Sequence, residues 1–267
     1  MNVINLENSN RSIVNTLGNF SVLEYKRDIS VSSGNAMTEY FMAEMGVHRR
    51  QVVINMTGEN TAVLQAGAMQ WMAGNVTIAT DVKGVGDLVG KMFKSSITKE
   101  TAIKPKYSGT GILVLEPTYK YIILKDVSEW NSGLVIEDGM FLACDGTVKQ
   151  GVTARKNISS AVLGGEGLFN LSLSGEGIVA LESNVPEDEL VEVQLNNDEL
   201  RIDGNMAVCW SDSLEFTVEK ATKSLIGSAV SGEGFVNVYR GTGKVLMAPV
   251  TSSASLLRAT NGVSAKP

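Results

Sequence analysis

Short apolar runs bounded by glycine set the pattern of this chain, and inside several of them apolar and polar residues alternate. Leu214, Phe216 and Val218 alternate with Glu215, Thr217 and Glu219, which predicts a strand with one buried face. A Gly-x-Gly turn followed by an apolar strand occurs three times. It reads Ser108-Gly109-Thr110-Gly111-Ile112-Leu113-Val114-Leu115, then Ser174-Gly175-Glu176-Gly177-Ile178-Val179-Ala180-Leu181, then Arg240-Gly241-Thr242-Gly243-Lys244-Val245-Leu246-Met247. The leading glycines stand 66 residues apart in both steps, so one unit is used three times.

Two further landmarks keep the same order. Gly67 opens Ala68-Met69-Gln70-Trp71-Met72, Gly139 opens Met140-Phe141-Leu142-Ala143-Cys144, and Gly204 opens Asn205-Met206-Ala207-Val208-Cys209. Gly165-Glu166-Gly167-Leu168-Phe169 is matched by Gly232-Glu233-Gly234-Phe235-Val236, and Lys99-Glu100-Thr101 holds that place in the first copy. The first copy carries an insertion at about 83–96. The spacing predicts a single β domain over 49–254, with copies at about 57–122, 123–188 and 189–254. Residues 1–48 form an amino-terminal extension and 255–267 a flexible tail. In the extension, Phe20–Tyr25 and 29–31 read as strands, and 36–45 reads as either helix or strand. Short helical turns are expected at 87–95, 158–163 and 221–230, and Pro186 to Glu189 as a solvated connection.

A unit of short strands cannot bury both faces of its own sheet. Three copies around a pseudo-threefold axis would share a core, giving an all-β prism or sandwich, with a linear solenoid as the alternative. With 43% hydrophobic and 19% charged residues, global disorder is excluded. Gly at 27 against Pro at 5 suits tight turns between strands. A net charge of −6 and a pI near 5.0 disfavour a general nucleic-acid surface. Two cysteines make no disulfide framework, and the first twenty residues lack a basic stretch followed by an apolar core. The uncharged stretch 61–80 contains Gln65, Gln70, Asn75, Gly67 and Gly74, so it reads as two strands and a turn rather than a membrane helix. The expectation is a cytoplasmic protein with no transmembrane segment.

The quoted motifs resemble the "altered inheritance of mitochondria twenty-four" family: Gly-Ala-Met at Gly67, Gly-x-Phe-Leu-Ala at Gly139, and the twin Gly-Glu-Gly motifs. The resemblance covers about 51–249. It implies a triplicated β fold similar to that of the tryptophan RNA-binding attenuation protein, and it implies no reaction, ligand or catalytic residue. The chain departs from the family in its amino-terminal extension and at Lys99-Glu100-Thr101, where the family usually has Gly-Glu-Ser.

Little of the sequence carries recognisable chemistry. His48 is the only histidine and sits in His48-Arg49-Arg50, which reads as a surface or turn cluster. Structural zinc wants four Cys or His ligands, and the chain has three such residues. Cys144 and Cys209 both lie five residues past a landmark glycine, where the first copy has Met72, so they read as one apolar core slot. Gly84-Val85-Gly86-Asp87-Leu88-Val89-Gly90 has the wrong spacing for a dinucleotide loop. Gly241-Thr242-Gly243-Lys244 lacks the flanking residues of a phosphate loop. Gly67, Gly109, Gly111, Gly139, Gly175, Gly177, Gly204, Gly241 and Gly243 are expected to be turn glycines with φ > 0. Glu100, Glu166 and Glu233 would occupy symmetric places and could bind a cation, or simply accept backbone hydrogen bonds. No catalytic residue, metal ligand or cofactor is predicted. The leading expectation is a non-enzymatic interaction or scaffold protein that self-associates. The alternative is a small-ligand or RNA-binding module, which few aromatics (6%) and the acidic balance weaken.

Overall fold

The β-branched and apolar runs become strands wherever glycine turns let them fold back. The structure is a computed structural model that describes residues 2–79, 104–130, 132–154, 169–220 and 235–250. Among these residues the strands are β1 (Arg11–Leu17), β2 (Phe20–Tyr25), β3 (Arg49–Leu64), β4 (Met69–Ala79), β5 (Lys106–Leu115), β6 (Tyr121–Asp126), β7 (Leu134–Ile136) and β8 (Phe141–Asp145). They continue as β9 (Lys149–Ala154), β10 (Phe169–Ser174), β11 (Ile178–Ser183), β12 (Val191–Asp203), β13 (Ala207–Ser211), β14 (Glu215–Lys220) and β15 (Phe235–Met247). One helix, α1 (Ala36–Glu44), and two single 3₁₀ turns, Val127–Glu129 and Glu187–Glu189, complete the set. The chain is all-β, in two curled, barrel-like sheets of eight and seven strands.

All strand pairs are antiparallel. β3 pairs β5 in two stretches, with Val53 opposite Val114 and, past a bulge, Thr61 opposite Ser108. β4 runs along the other edge of β5, from Met69 opposite Leu115 to Ala79 opposite Lys106. Near the carboxyl end β12 pairs β15 in two stretches, with Val191 opposite Met247 and, past a bulge, Leu200 opposite Tyr239. β13 and β14 then share the other edge of β15. In the middle of the chain the strands are shorter: β6 and β8 flank β11, while β7 and β9 flank β10. Two ladders join these groups. The end of β3 pairs β8, with Val63 opposite Cys144, and β7 pairs β13, with Val135 opposite Trp210.

Both faces of the joining sheets are apolar, so each sheet is wedged between two cores. The first core holds Phe20, Val22, Ile54, Leu64 and Leu113 together with Leu124, Ala143, Ile178 and Ala180. The second holds Ile123, Cys144, Val179 and Leu181 together with Val208, Cys209 and Leu246. The third holds Ile202, Trp210, Phe216, Tyr239 and Val245 together with Val135. A fourth, on the outer side of β2, β3 and β5, joins Leu23, Val53 and Val114 to Leu6, Ile13, Tyr25, Trp71 and Ile112. The buried residues therefore form separate cores in chain order, where one shared core was expected. Alternation is the reason: Leu64 faces the first core and its neighbour Val63 the second. Each fully buried aliphatic side chain contributes about 1.5–3 kcal/mol. In the third core Trp210, Phe216 and Tyr239 add ring contacts at 4.9–5.2 Å between centroids.

The extension is part of this packing. β1 and β2 form a hairpin, and β2 pairs β3 with Phe20 opposite Ile54. Residues 29–31 are irregular, and 36–44 are helical. The stretch 61–79 is two strands around a turn, with Gly67 at φ 80°. Eight of the nine turn glycines have positive φ; Gly243 does not. Space keeps Gly243 glycine, since a Cβ there would lie 2.8 Å from Ser211 Cβ. The expected insertion at 83–96, the three expected helical turns and the carboxyl tail lie outside the described residues.

Candidate interaction surfaces

Glu100, Glu166 and Glu233 lie outside the described residues. Among the described residues no group of three or more His, Cys, Asp or Glu side chains is placed to hold a metal ion. His48 is half-buried before β3, and its carbonyl accepts from Arg50 Nη1 at 3.1 Å. Arg50 itself is buried, paired with Glu24 at 2.7 Å and stacked 4.1 Å over the Tyr121 ring.

Cys144 and Cys209 are fully buried, and burial pushes both thiols up to about 12, so neither is a thiolate near neutral pH. They do not share one ladder slot. Cys144 stands opposite Val179, four residues past Gly175, whereas Cys209 stands opposite Leu246, five past Gly241. Opposite Val245, which like Val179 lies four residues past a Gly-x-Gly leading glycine, is Trp210, and opposite Leu113, also four past one, is Met72. The bulges fall at like places in these ladders, and the equal count breaks because Phe141, two past Gly139, stands opposite Leu181, whereas Ala207, three past Gly204, stands opposite Met247. Beside Cys144, Asp145 is raised by burial, an effect partly opposed by the 2.8 Å hydrogen bond it accepts from the Ile178 N–H.

Three surfaces stand out. The first is α1 and the segment leading into it. Met37 and Met45 are 74% and 80% exposed, Ile29, Tyr40 and Phe41 are also exposed, and no residue of α1 is buried. Positions 37, 41 and 45 fall on one helix face. The helix is anchored by polar side chains instead: Tyr119 Oη donates to Glu39 at 2.8 Å, and Arg49 pairs with Asp28 and stacks over the Tyr119 ring. Burial, then the Glu39 hydrogen bond, raises the Tyr119 phenol.

The second is a groove of about 450 Å³ where the middle strands meet the last ones. Trp130 and Lys244 line it, with the Lys244 ammonium 4.3 Å from the ring centroid, together with Ser132, Ser211, Ser213 and Thr242. Trp130 is 3% exposed, and its indole N–H has no partner.

The third is a closed ring of four charges on one face of β12, β14 and β15. Arg240 makes a bidentate pair with Glu219 at 2.5 and 2.9 Å and reaches Glu199 at 2.5 Å. Arg201 pairs with Glu199 at 2.5 Å and with Glu219 at 3.7 Å. Val238 lies beneath, fully buried, between Arg201 and Thr217 in the ladders. The hydrogen bond from Arg240 holds the Glu219 carboxyl down to about 2, and Arg201 lowers that of Glu199.

Sequence reasoning passed over all three surfaces. Glu199 and Arg201 alternate with Leu200 and Ile202, which signals a strand with one polar face. Nothing local places Glu219 and Arg240 beside them.

A family model described as mitochondrial biogenesis AIM24 matches residues 45–250. The uncharacterized protein M6_Spy0233 of Streptococcus pyogenes serotype M6 is 30% identical over 202 residues, 73% of this chain and 79% of that protein. The crystal structure of protein SPYM3_0169 from Streptococcus pyogenes is similar at a TM-score of 0.58 and 25% identity, over 81% of this chain and 94% of that one.

Proposed function

The chain belongs to the AIM24 family, and from that premise we propose a non-enzymatic interaction protein, built of three successive copies of one β unit, that self-associates through the apolar face of α1. The exposed row Met37, Phe41 and Met45 carries the reading. Single exposed apolar residues are ordinary, but a helix with its apolar side chains on the outside and its polar ones holding it down is an interface motif. The same reading puts the protein in the cytoplasm. Among the described residues no helix is long and apolar enough to cross a membrane.

Recurring pairings support the three-copy part. Each copy divides into six short segments in chain order, the long strands β3, β4, β5, β12 and β15 holding two each, and the first pairs the last in β3 with β5, in β6 with β11 and in β12 with β15. The second segment pairs the fifth at Thr61 opposite Ser108, at Leu134 opposite Leu173 and at Leu200 opposite Tyr239. The third and fourth segments take the remaining edges in each case. One step relates the first copy to the second and the second to the third, through β3 with β8 and β7 with β13. Repeating one rotation is the geometry that a pseudo-threefold arrangement, like that of the tryptophan RNA-binding attenuation protein, would use. Among the described residues no ladder joins the third copy to the first.

Light scattering on the wild type and on Phe41→Ser with Met45→Ser is the test. The wild type should exceed monomer mass, and the double variant should fall to monomer while melting at about the same temperature. A second reading, a small-ligand module, is favoured by the groove over Trp130 and Lys244. A strictly monomeric wild type, whose melting temperature rises with added small carboxylates but not after Lys244→Met, would replace the first reading with that one. RNA fits the groove poorly, because Glu129 beside it and the net charge of −6 repel phosphate.

A further inference from the structure

We infer that the charged ring of Glu199, Arg201, Glu219 and Arg240 is a stop, which keeps the free edge of β12 from pairing with a second copy of this chain. The inference rests on the three-copy reading. In the first copy the stretch of β3 around Val63 gives its outer edge to β8, and in the second β7 gives its edge to β13. The matching stretch of the third copy is 198–203 of β12, which among the described residues pairs only β15. The edge that has a partner twice inside the chain has none here among the described residues.

The residues on that edge change in step. Val63 stands opposite Lys106, Val135 opposite Ser172 and Arg201 opposite Val238, and each of these partners lies three residues before its leading glycine. Val63 packs against the second core, and Val135 is buried in the third. Arg201, in the same place, is exposed. Thr61 opposite Ser108 gives way to Glu199 opposite Arg240, and Thr153 opposite Asn170 to Glu219 opposite Val236. A following sheet would have to desolvate all four charges, and desolvating ions is costly even when they are paired. The four side chains satisfy one another and shield Val238, so the ring itself is polar and carries no net charge. Charge on an edge strand is a recognised way to refuse a further strand.

The test gives the third copy the residues of the first: Glu199→Thr with Arg201→Val, in full-length protein that also carries Phe41→Ser and Met45→Ser. The α1 contact is thereby removed and counted separately. Light scattering across a concentration series should show the mass doubling, as two β12 edges pair about a twofold axis. Glu199→Asp with Arg201→Lys, which keeps the charges, should leave the mass unchanged. A folded Thr/Val variant that keeps the parent mass at every concentration overturns the stop while leaving the three-copy reading intact. If that variant loses cooperative folding, Arg201→Val alone decides the stop: growth in mass supports it, and none rejects it.

Discussion

The two ends of the strand array solve one problem in opposite ways. At the amino-terminal end the outer face of the sheet is apolar, with Val53, Val114, Trp71 and Ile112, and Leu6, Ile13 and Tyr25 from the extension pack over it. At the carboxyl-terminal end the outer face carries Glu199, Arg201, Glu219 and Arg240, tied into a ring that needs no further chain. In the middle, Leu124, Ala180, Ala143 and Ile178, placed along their ladders as the amino-terminal face is, lie in the first core, and Val135, placed as Arg201 is, lies in the third. Similar antiparallel pairing thus carries an apolar covered face at one end, buried faces in the middle and a charged face at the other end. What covers a face, rather than how its strands pair, decides which side chains it bears.

The largest difference between the ends should come from their Gly-x-Gly turns. A Cβ on Gly109 would lie 1.9 Å from the Asn75 carbonyl oxygen, whereas one on Gly241 would meet nothing nearer than 3.6 Å. Both have positive φ, 113° and 124°. Gly109→Ala should cost about 3 kcal/mol or more, since backbone must move, and Gly241→Ala about 1–2 kcal/mol from backbone strain alone. Urea unfolding measures both, and equal losses would erase the distinction. Next comes the apolar cover. Leu23 is 1% exposed, and Leu23→Ala should cost about 2–4 kcal/mol and raise binding of an apolar dye. A loss below about 1 kcal/mol would mean that the extension merely rests on the sheet.

The smallest effect belongs to the charged end and depends on pH. Glu219 and Glu199 are held below the ordinary carboxyl value of 4.5 by their arginine partners. A depressed folded-state value means that their contribution is complete above about 4.5. It is lost as pH falls toward about 2, where Glu219 itself takes up a proton. Exposed pairs of this kind contribute little, because solvent screens them. Arg240→Met should flatten the melting temperature between pH 4.5 and 2 relative to wild type and change it little at pH 7. A wild-type slope that survives the substitution would take the ring out of the account.

Much of the strand pattern was legible in sequence because period-two alternation and turn glycines are local. Leu214, Phe216 and Val218 face the third core from β14 and its preceding turn, and Gly67 turns between β3 and β4 as the pattern predicted. Local counting failed where one extra residue follows Gly204: equal distance from a glycine put Cys144 and Cys209 in one slot, and ladder register put them in adjacent ones. The ambiguous segment 36–45 resolved as helix, held by Glu39 to Tyr119, a partner 80 residues away. The surfaces were illegible for the same reason. The charged ring gathers residues from three strands, and the groove brings Trp130 under Lys244.

The sequence by itself determined that strands would form, where glycine would turn them, and which residues of each strand would face inward, because those depend on φ and on neighbours two positions away. Only the tertiary structure decided which faces found partners. Val63 and Arg201 each stand opposite a residue three positions before a Gly-x-Gly turn, and one is packed against the second core while the other meets water and two carboxylates. That difference comes from what lies beyond the strand, and a strand does not encode its own neighbours.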